Sequence, residues 1–308
     1  MAMNVQAISR VVFPWLLMLV VVASAQAQPK LEGKLTVATY NIENLFDVFD
    51  DPYTADEGTR VKPRAELEKV AALLRKIDAD VVAFEEIENE QVLKAFVTEM
   101  LGDMGYKYVA AATSNDGRGI RTAVASRLPI ESITSYRHLD LTLEGDERTW
   151  RFARDLMHVK LKVSDTQSLH TFVVHLKSKR DDGADKQGAN WRLAEATMAR
   201  KIIGDLIQKD PKAWIIMTGD FNDTPESTPI QKLLSGELLT DLHASLEGEA
   251  AITYLKKPYR SRIDYILTSP ALTKRVIKGS PRVVNDDVEM IAGADHAPVV
   301  ATFDVTGD

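Results

Sequence analysis

Trp214-Ile215-Ile216-Met217-Thr218-Gly219-Asp220-Phe221-Asn222-Asp223 carries four consecutive apolar residues into a glycine, then sets a carboxylate and an amide on either side of Phe221. A short apolar run bounded by turn formers fits a buried strand, and polar groups at its tip are where a sheet protein presents chemistry. Gly219 lets the backbone approach a ligand closely, and Asp220 and Asn222 share one side of an extended continuation. Gly, Asp and Asn also make plain turns, so one such stretch carries little weight. The pattern gains its weight by recurring: an apolar run stops at acid, amide or imidazole in Tyr40-Asn41-Ile42-Glu43-Asn44, Phe84-Glu85-Glu86-Ile87, Val174-His175-Leu176-Lys177-Ser178, Arg262-Ile263-Asp264-Tyr265-Ile266 and Ala294-Asp295-His296-Ala297-Pro298.

Working outward from that stretch, strands are expected at 35–41, 80–87, 107–112, 121–126, 130–136, 152–163, 169–176, 213–218, 262–268 and 299–305, from their β-branched and apolar content. The shorter spacings suggest antiparallel neighbours joined by turns. Helical spacing of apolar residues marks 64–76, through Leu67, Val70, Ala71 and Leu74, and 188–208, through Leu193, Ala196, Ile203 and Ile207, with a further helix at 91–101. The acidic segment 47–63, with Pro52, Gly58 and Pro63, reads as a long surface loop. Strands packed on strands with helices between them in sequence point to an α+β sandwich: two sheets face to face, helices outside. With no internal repeat of fixed period and no linker, residues 28–308 are expected to form one catalytic domain.

The 308-residue chain is 45% hydrophobic and 27% charged, an ordinary globular balance, and its net charge of −7 excludes a basic protein that coats nucleic acid. A metal ion and a local basic patch can still reverse the field where a phosphate sits. Residues 1–27 read as a secretory leader: Arg10, an apolar run from Val11 to Val22 broken only by Pro14, then the small-x-small sites Ala23-Ser24-Ala25 and Ala25-Gln26-Ala27. That run is shorter than the roughly 20 apolar residues that span a bilayer, so no stable membrane anchor is expected, and the destination is periplasmic or extracellular. The chain has no cysteine, which removes disulfides and thiolate zinc sites together; oxygen ligands such as Glu86 and Asp295 instead suit Mg²⁺, with Mn²⁺ and Ca²⁺ as alternatives.

The order and identity of these motifs resemble the endonuclease/exonuclease/phosphatase family, which includes deoxyribonucleases, apurinic endonucleases, inositol-phosphate phosphatases and neutral sphingomyelinases. The resemblance runs from Thr36 to Phe303 and implies a four-layer α/β sandwich of two packed mixed β-sheets with outer helices, its site at the strand ends. It further implies that Asn41, Glu86 and Asp295 attend the metal. His175 and Asn222 would contact phosphate oxygens, Asp220 would orient the attacking water, and Asp264 would hold the catalytic His296. The family commonly has Gln before its metal-binding Glu, where this chain has Glu85; Glu86 is preferred for its place before Ile87. Arg154 resembles an arginine before the central strand of relatives, with Arg148 and Arg151 close by.

Such a site hydrolyses a phosphoester by delivering water in line and neutralising charge on the phosphoryl oxygens. Local positive charge follows the His175 motif at Lys177, Lys179, Arg180 and Lys186. It precedes Asp264 at Lys256, Lys257, Arg260 and Arg262, there interleaved with Tyr254 and Tyr259. Cations with aromatics suit a phosphate backbone with an unstacked base, so Lys177, Arg154, Tyr259 and Arg262 are the expected substrate contacts and a nucleic acid the expected substrate. A solvated charged loop explains either segment about as well. The runner-up is a phospholipid or small phosphoester, hydrolysed by a sphingomyelinase-type phosphodiesterase or a phosphatase on the same fold. A lipid enzyme wants an exposed apolar or aromatic loop, and none stands out after the leader.

Overall fold

A computed structural model describes residues 31–307 apart from Glu32, Glu144, Ala184, residues 287–290 and Ala292; the expected leader, residues 1–27, lies outside the described residues. In chain order the main elements are β1 (Lys34–Leu45), α1 (Arg64–Ile77), β2 (Val81–Ile87), α2 (Glu90–Leu101), β3 (Tyr108–Ala111), β4 (Arg121–Ser126), β5 (Ile130–Ser135), β6 (Leu141–Leu143), β7 (Asp146–Trp150), β8 (Leu156–Lys162) and β9 (Ser168–His175). There follow α3 (Ala189–Lys209), β10 (Trp214–Asp220), α4 (Thr228–Leu234), β11 (Thr240–Asp241), β12 (Asp264–Thr268), α5 (Pro270–Thr273), β13 (Arg282–Val283) and β14 (Val299–Asp304).

Two six-stranded sheets form, in the orders β13-β14-β1-β2-β4-β3 and β11-β12-β10-β9-β8-β5. The centre of each is a parallel pair, β1 with β2 and β9 with β10, and all other pairings are antiparallel. Each parallel pair is joined through a helix, α1 or α3, as parallel strands require. The antiparallel neighbours expected among the closely spaced strands of 107–176 are found as β3–β4, β5–β8 and β8–β9. The short β6–β7 hairpin stands apart as a third sheet.

Alternation along the strands sorts the apolar side chains into layers. On β2, Val81 and Ala83 face the middle of the sandwich, while Val82 and Phe84 pack under α1 and α2. On β10, Trp214 and Ile216 face the middle, while Ile215 and Met217 meet Ala196, Ala199 and Ile203 of α3. The result is helix, sheet, sheet, helix. Helix α1 ends at Asp78, left-handed at φ 52, whose N–H closes on Leu74, and α2 starts at Asn89, whose side chain accepts from Val92 N.

Continuing the inward positions past their last apolar residue reaches Thr39 and Asn41 on β1, Glu85 on β2, His175 on β9, Asp220 on β10 and Asp264 on β12. The middle layer thus turns from hydrocarbon to polar at one end, and there the chemistry collects. Gly219 earns its place differently from the ligand approach expected of it. At φ +134, a Cβ there would lie 2.0 Å from the Val174 carbonyl oxygen and 3.0 Å from Glu85 Oε1, so the close neighbour is the adjoining strand. Two strands are shorter than the sequence suggests. Residues 152–155 peel away from β8 because Glu195 takes the Ala153 amide and Asp155 takes that of Tyr136. Strand β12 starts at Asp264 because Thr253 Oγ1 takes the amides of Ile263 and Asp264.

Candidate active site

At the polar end of the sandwich the strand tips open into a cleft of about 1160 Å³. Asp220 stands at its floor, almost wholly buried, among four polar neighbours. Asn222 N donates to its Oδ1 at 2.8 Å, and Asn41 Nδ2 donates to its Oδ2 at 3.2 Å. His175 Nε2 lies 3.4 Å and His296 Nε2 3.8 Å from the same Oδ2. On the far side of its ring, His296 Nδ1 is 2.9 Å from Asp264 Oδ2. Asn222 is left-handed at φ 53, so the chain turns there instead of continuing extended, and its amide Nδ2 donates to Leu176 O at 3.1 Å.

The two imidazoles sit in opposite fields. Burial pushes His296 down, but Asp264, Asp220 and Asp295 around it carry it well above the ordinary imidazole range. Burial, then Arg154, His296 and Arg118, hold His175 well below that range. Burial, with Asp264 next in size, raises Asp220 to about 7. One protonated and one neutral histidine beside a carboxylate poised near neutrality is a separation of acid and base roles by environment.

Among the described residues, Asp220, Asp264 and His296 form the one trio of carboxylate and imidazole groups whose donor atoms all lie within 4.8 Å. The 2.9 Å contact already commits His296 Nδ1 to Asp264, which suits a histidine held in place better than a cation cage. Beside the trio, Glu86 is half-buried and turned toward the cleft. Strand alternation buries Glu85 instead, where Thr39 Oγ1 donates to it at 2.9 Å, and a left-handed Glu86 at φ 64 then brings the second carboxylate round. Glu86 Oε1 is 3.5 Å from Asn41 Nδ2. Across the cleft, Lys256 Nζ lies 2.7 Å from Glu43 Oε1 and 2.9 Å from Asp295 Oδ2. Glu43, Glu86, Asp220 and Asp295 all line the cleft, and an ammonium already sits between two of them. A hard-oxygen, strongly negative lining of this kind suits a divalent cation.

The opposite wall is cationic. Arg154 is buried, with Nη1 donating to Leu176 O at 3.0 Å and Nη2 3.0 Å from Asp116 Oδ2. Lys177 Nζ lies over the Trp191 ring at 5.5 Å, and Arg118 Nη1 donates to Asn44 Oδ1. Arg148 and Arg151 pair instead with Asp146 and Asp140. Tyr259 lines the rim and is 73% exposed. Arg262 does not join this wall, contrary to expectation: it is buried, 2.6 Å from Asp241, with its guanidinium over Tyr265. Its neighbours Ser261 and Ile263 and the preceding Arg260 line the cleft in its stead. Arg118 has no signal in the sequence because Asn115-Asp116-Gly117-Arg118 looks like a plain turn, and only the fold brings it to the cleft near His175.

The family model described as Endonuclease/Exonuclease/phosphatase family matches residues 36–246. No curated protein matches the chain by sequence. Among solved structures, truncated Caenorhabditis elegans TDP2 superposes with a TM-score of 0.60 at 16% identity, over 88% of this chain and 97% of that one. The human Nocturnin catalytic domain with bound sulfate gives 0.60 at 17%, over 89% and 95%. An endonuclease/exonuclease/phosphatase from Beutenbergia cavernae gives 0.63 at 18%, over 89% and 72%. At these identities the likeness is one of fold.

Proposed function

Because the chain belongs to the endonuclease/exonuclease/phosphatase family, we propose that it is an exported, metal-dependent phosphodiester hydrolase, a nuclease that cleaves DNA or RNA by attack of an activated water. The observation that carries the reading is the geometry at Asp220, fixed by Asn41, His175 and Asn222 and faced at 3.8 Å by His296 Nε2, whose ring Asp264 grips on its far side. Asp220 is then the group that takes the proton from the water. His296, pinned by Asp264, directs its Nε2–H at a phosphoryl oxygen, and Asn222 and neutral His175 hold the phosphate in line. Mg²⁺ held by Glu86, Asp295 and Asn41, or Mn²⁺ or Ca²⁺ in its place, would supply positive charge to the phosphoryl oxygens and the leaving alkoxide.

The substrate reading rests on the wall of Arg118, Arg154 and Lys177 facing the metal side, with Tyr254 and Tyr259 at the rim for an unstacked base. One observation favours the lipid alternative: the 47–63 loop exposes Val48, Phe49 and Tyr53 to 75%, 77% and 94%. An interface could receive them. Its five acidic residues would be repelled by an anionic membrane. Full-length protein offered DNA, RNA, sphingomyelin and a small phosphodiester, each with Mg²⁺ or EDTA, is expected to turn over polynucleotide in Mg²⁺ alone. Turnover of sphingomyelin without polynucleotide would transfer the assignment to the lipid class. Export rests on the sequence of residues 1–27 and predicts a secreted form beginning at Gln26 or Gln28.

A further inference from the structure

Glu195 is fully buried in α3, whose other buried residues are Arg192, Ala194, Ala196, Ala199 and Ile203. A carboxylate in such surroundings costs stability that another alanine would not, unless it is well paired. Its two oxygens take two backbone amides from separate parts of the chain: Ala153 N donates to Oε1 at 2.7 Å and Lys177 N donates to Oε2 at 2.8 Å. Each amide adjoins or belongs to a cation of the cleft wall, Arg154 in one case and Lys177 in the other.

Arg192, three residues earlier on the same helical face and 2% exposed, completes the grip. Its Nη1 donates to Lys177 O at 3.0 Å and to Gln187 O at 2.6 Å, and its Nε lies 2.9 Å from Asp223 Oδ2, next to Asn222. The peptide of Lys177 is therefore held on its N–H side by Glu195 and on its C=O side by Arg192. Trp191 adds a third hold: its Nε1 donates to Arg151 O at 2.7 Å and its ring underlies the Lys177 ammonium. One turn of α3 thus touches the segments that carry Arg154, Lys177 and Asn222, while its own side chains, Trp191 excepted, stay out of the cleft.

We infer that Glu195 and Arg192 are positioning residues whose clamp on residues 153, 177 and 223 sets the geometry of the anion-binding wall. This rests on the phosphodiesterase reading above. A wall that binds the parts of a substrate remote from the reacting bond contributes to ground state and transition state alike, so loosening it raises KM and spares kcat. Glu195→Gln keeps the volume but presents an NH₂ to one of the two amides, and Arg192→Lys keeps the charge but loses the fork that spans Lys177 O and Asp223.

The test measures three quantities on full-length wild type, Glu195→Gln and Arg192→Lys: KM and kcat for a short single-stranded oligonucleotide with Mg²⁺, the Kd of inorganic phosphate by calorimetry, and amide exchange at Ala153 and Lys177. Both variants are expected to raise KM and the phosphate Kd about tenfold, with kcat changed by less than about twofold in Glu195→Gln, which leaves the Asp223 contact alone, and to speed exchange at Lys177 ahead of β9 and β10. Variants that melt earlier yet keep wild-type KM and phosphate Kd would reduce the pair to ordinary fold stability and overturn the inference. Should Glu195→Gln not fold, Arg192→Lys decides alone by the same two constants. A wild type that binds phosphate but cleaves no phosphodiester would sink the catalytic reading and leave the clamp standing if the variants still weaken phosphate. A wild type that binds no phosphate would remove the wall itself, and the clamp with it.

Discussion

Asp220 and His296 lie 3.8 Å apart at the end of the middle layer and depend on each other's charge. Asp220→Asn removes the proton acceptor while keeping the acceptor oxygen for Asn222 N, and His296→Ala removes the cation that Asp264 supports. Each is expected to lower kcat by roughly 10²–10⁴-fold, with the double variant little worse than the worse single one, because both act on the same proton. Turnover and thermal unfolding measured on the same preparations check this; a destabilised His296→Ala protein with full turnover per folded molecule would return that histidine to a structural role. Most residues of this cluster were legible in the sequence, since each stands where an apolar run stops. At Arg262 the sequence misleads, because nothing local announces its partner Asp241, 21 residues away. Alternation alone would have chosen Glu85 as the inward carboxylate; the left-handed turn at Glu86 that delivers a second one has no sequence signal, since Glu is not a residue that favours it.

Neighbouring strands explain a second titration. On β8 and β9, His158 Nε2 is 2.9 Å from His170 Nδ1, and the His158 ring stacks on Phe172 at 4.2 Å. Burial, then His170 and Lys160, push His158 down to about 4. Its folded pKa lies below its unfolded one, so the native state binds fewer protons between about pH 6.5 and 4, and stability falls as pH falls through that window. His158→Phe, which keeps the stack, is expected to lose less stability than wild type between pH 7 and 4.5. Urea midpoints of the two proteins at both pH values check this; parallel losses would exclude the histidine as the cause. At this scale the sequence revealed long periodic elements well and short ones poorly. Helices α1 and α3 lie within a residue or two of the spans their periodicity predicts, whereas the β6–β7 hairpin and α4 have no such signal. The first has strands of only three and five residues, and the second follows the Asp220 motif where Pro225 and Pro229 suggest loop. Glu195 and Arg192 were invisible for another reason: on an amphipathic pattern they look like solvent-facing charges.

The whole molecule gathers Glu43, Glu86, Asp220 and Asp295 from separate segments at one cleft, and an ion that binds there stabilises the native state by mass action. At Mg²⁺ concentrations of about 100 times Kd the gain is about 2.7 kcal/mol, visible as a raised Tm relative to EDTA. Glu86→Gln is expected to abolish most of that rise and Glu85→Gln to preserve it; calorimetry of the three proteins decides, and the reverse pattern would make Glu85 the ligand. Sandwich class and outer helices were readable from the strand and helix pattern. Sheet order was not, because pairing depends on contacts between distant segments that no local window contains. The most distant of them is β1 with β14, in register from Lys34 opposite Asp304 to Thr39 opposite Val299. During synthesis Asn41 and Glu86 leave the ribosome more than 200 residues ahead of His296, and the strand that anchors the histidine follows it. Asp220 therefore emerges without its histidine, and the two meet only once β14 has closed against β1, so the last strand to be made doubles as the step that arms the site.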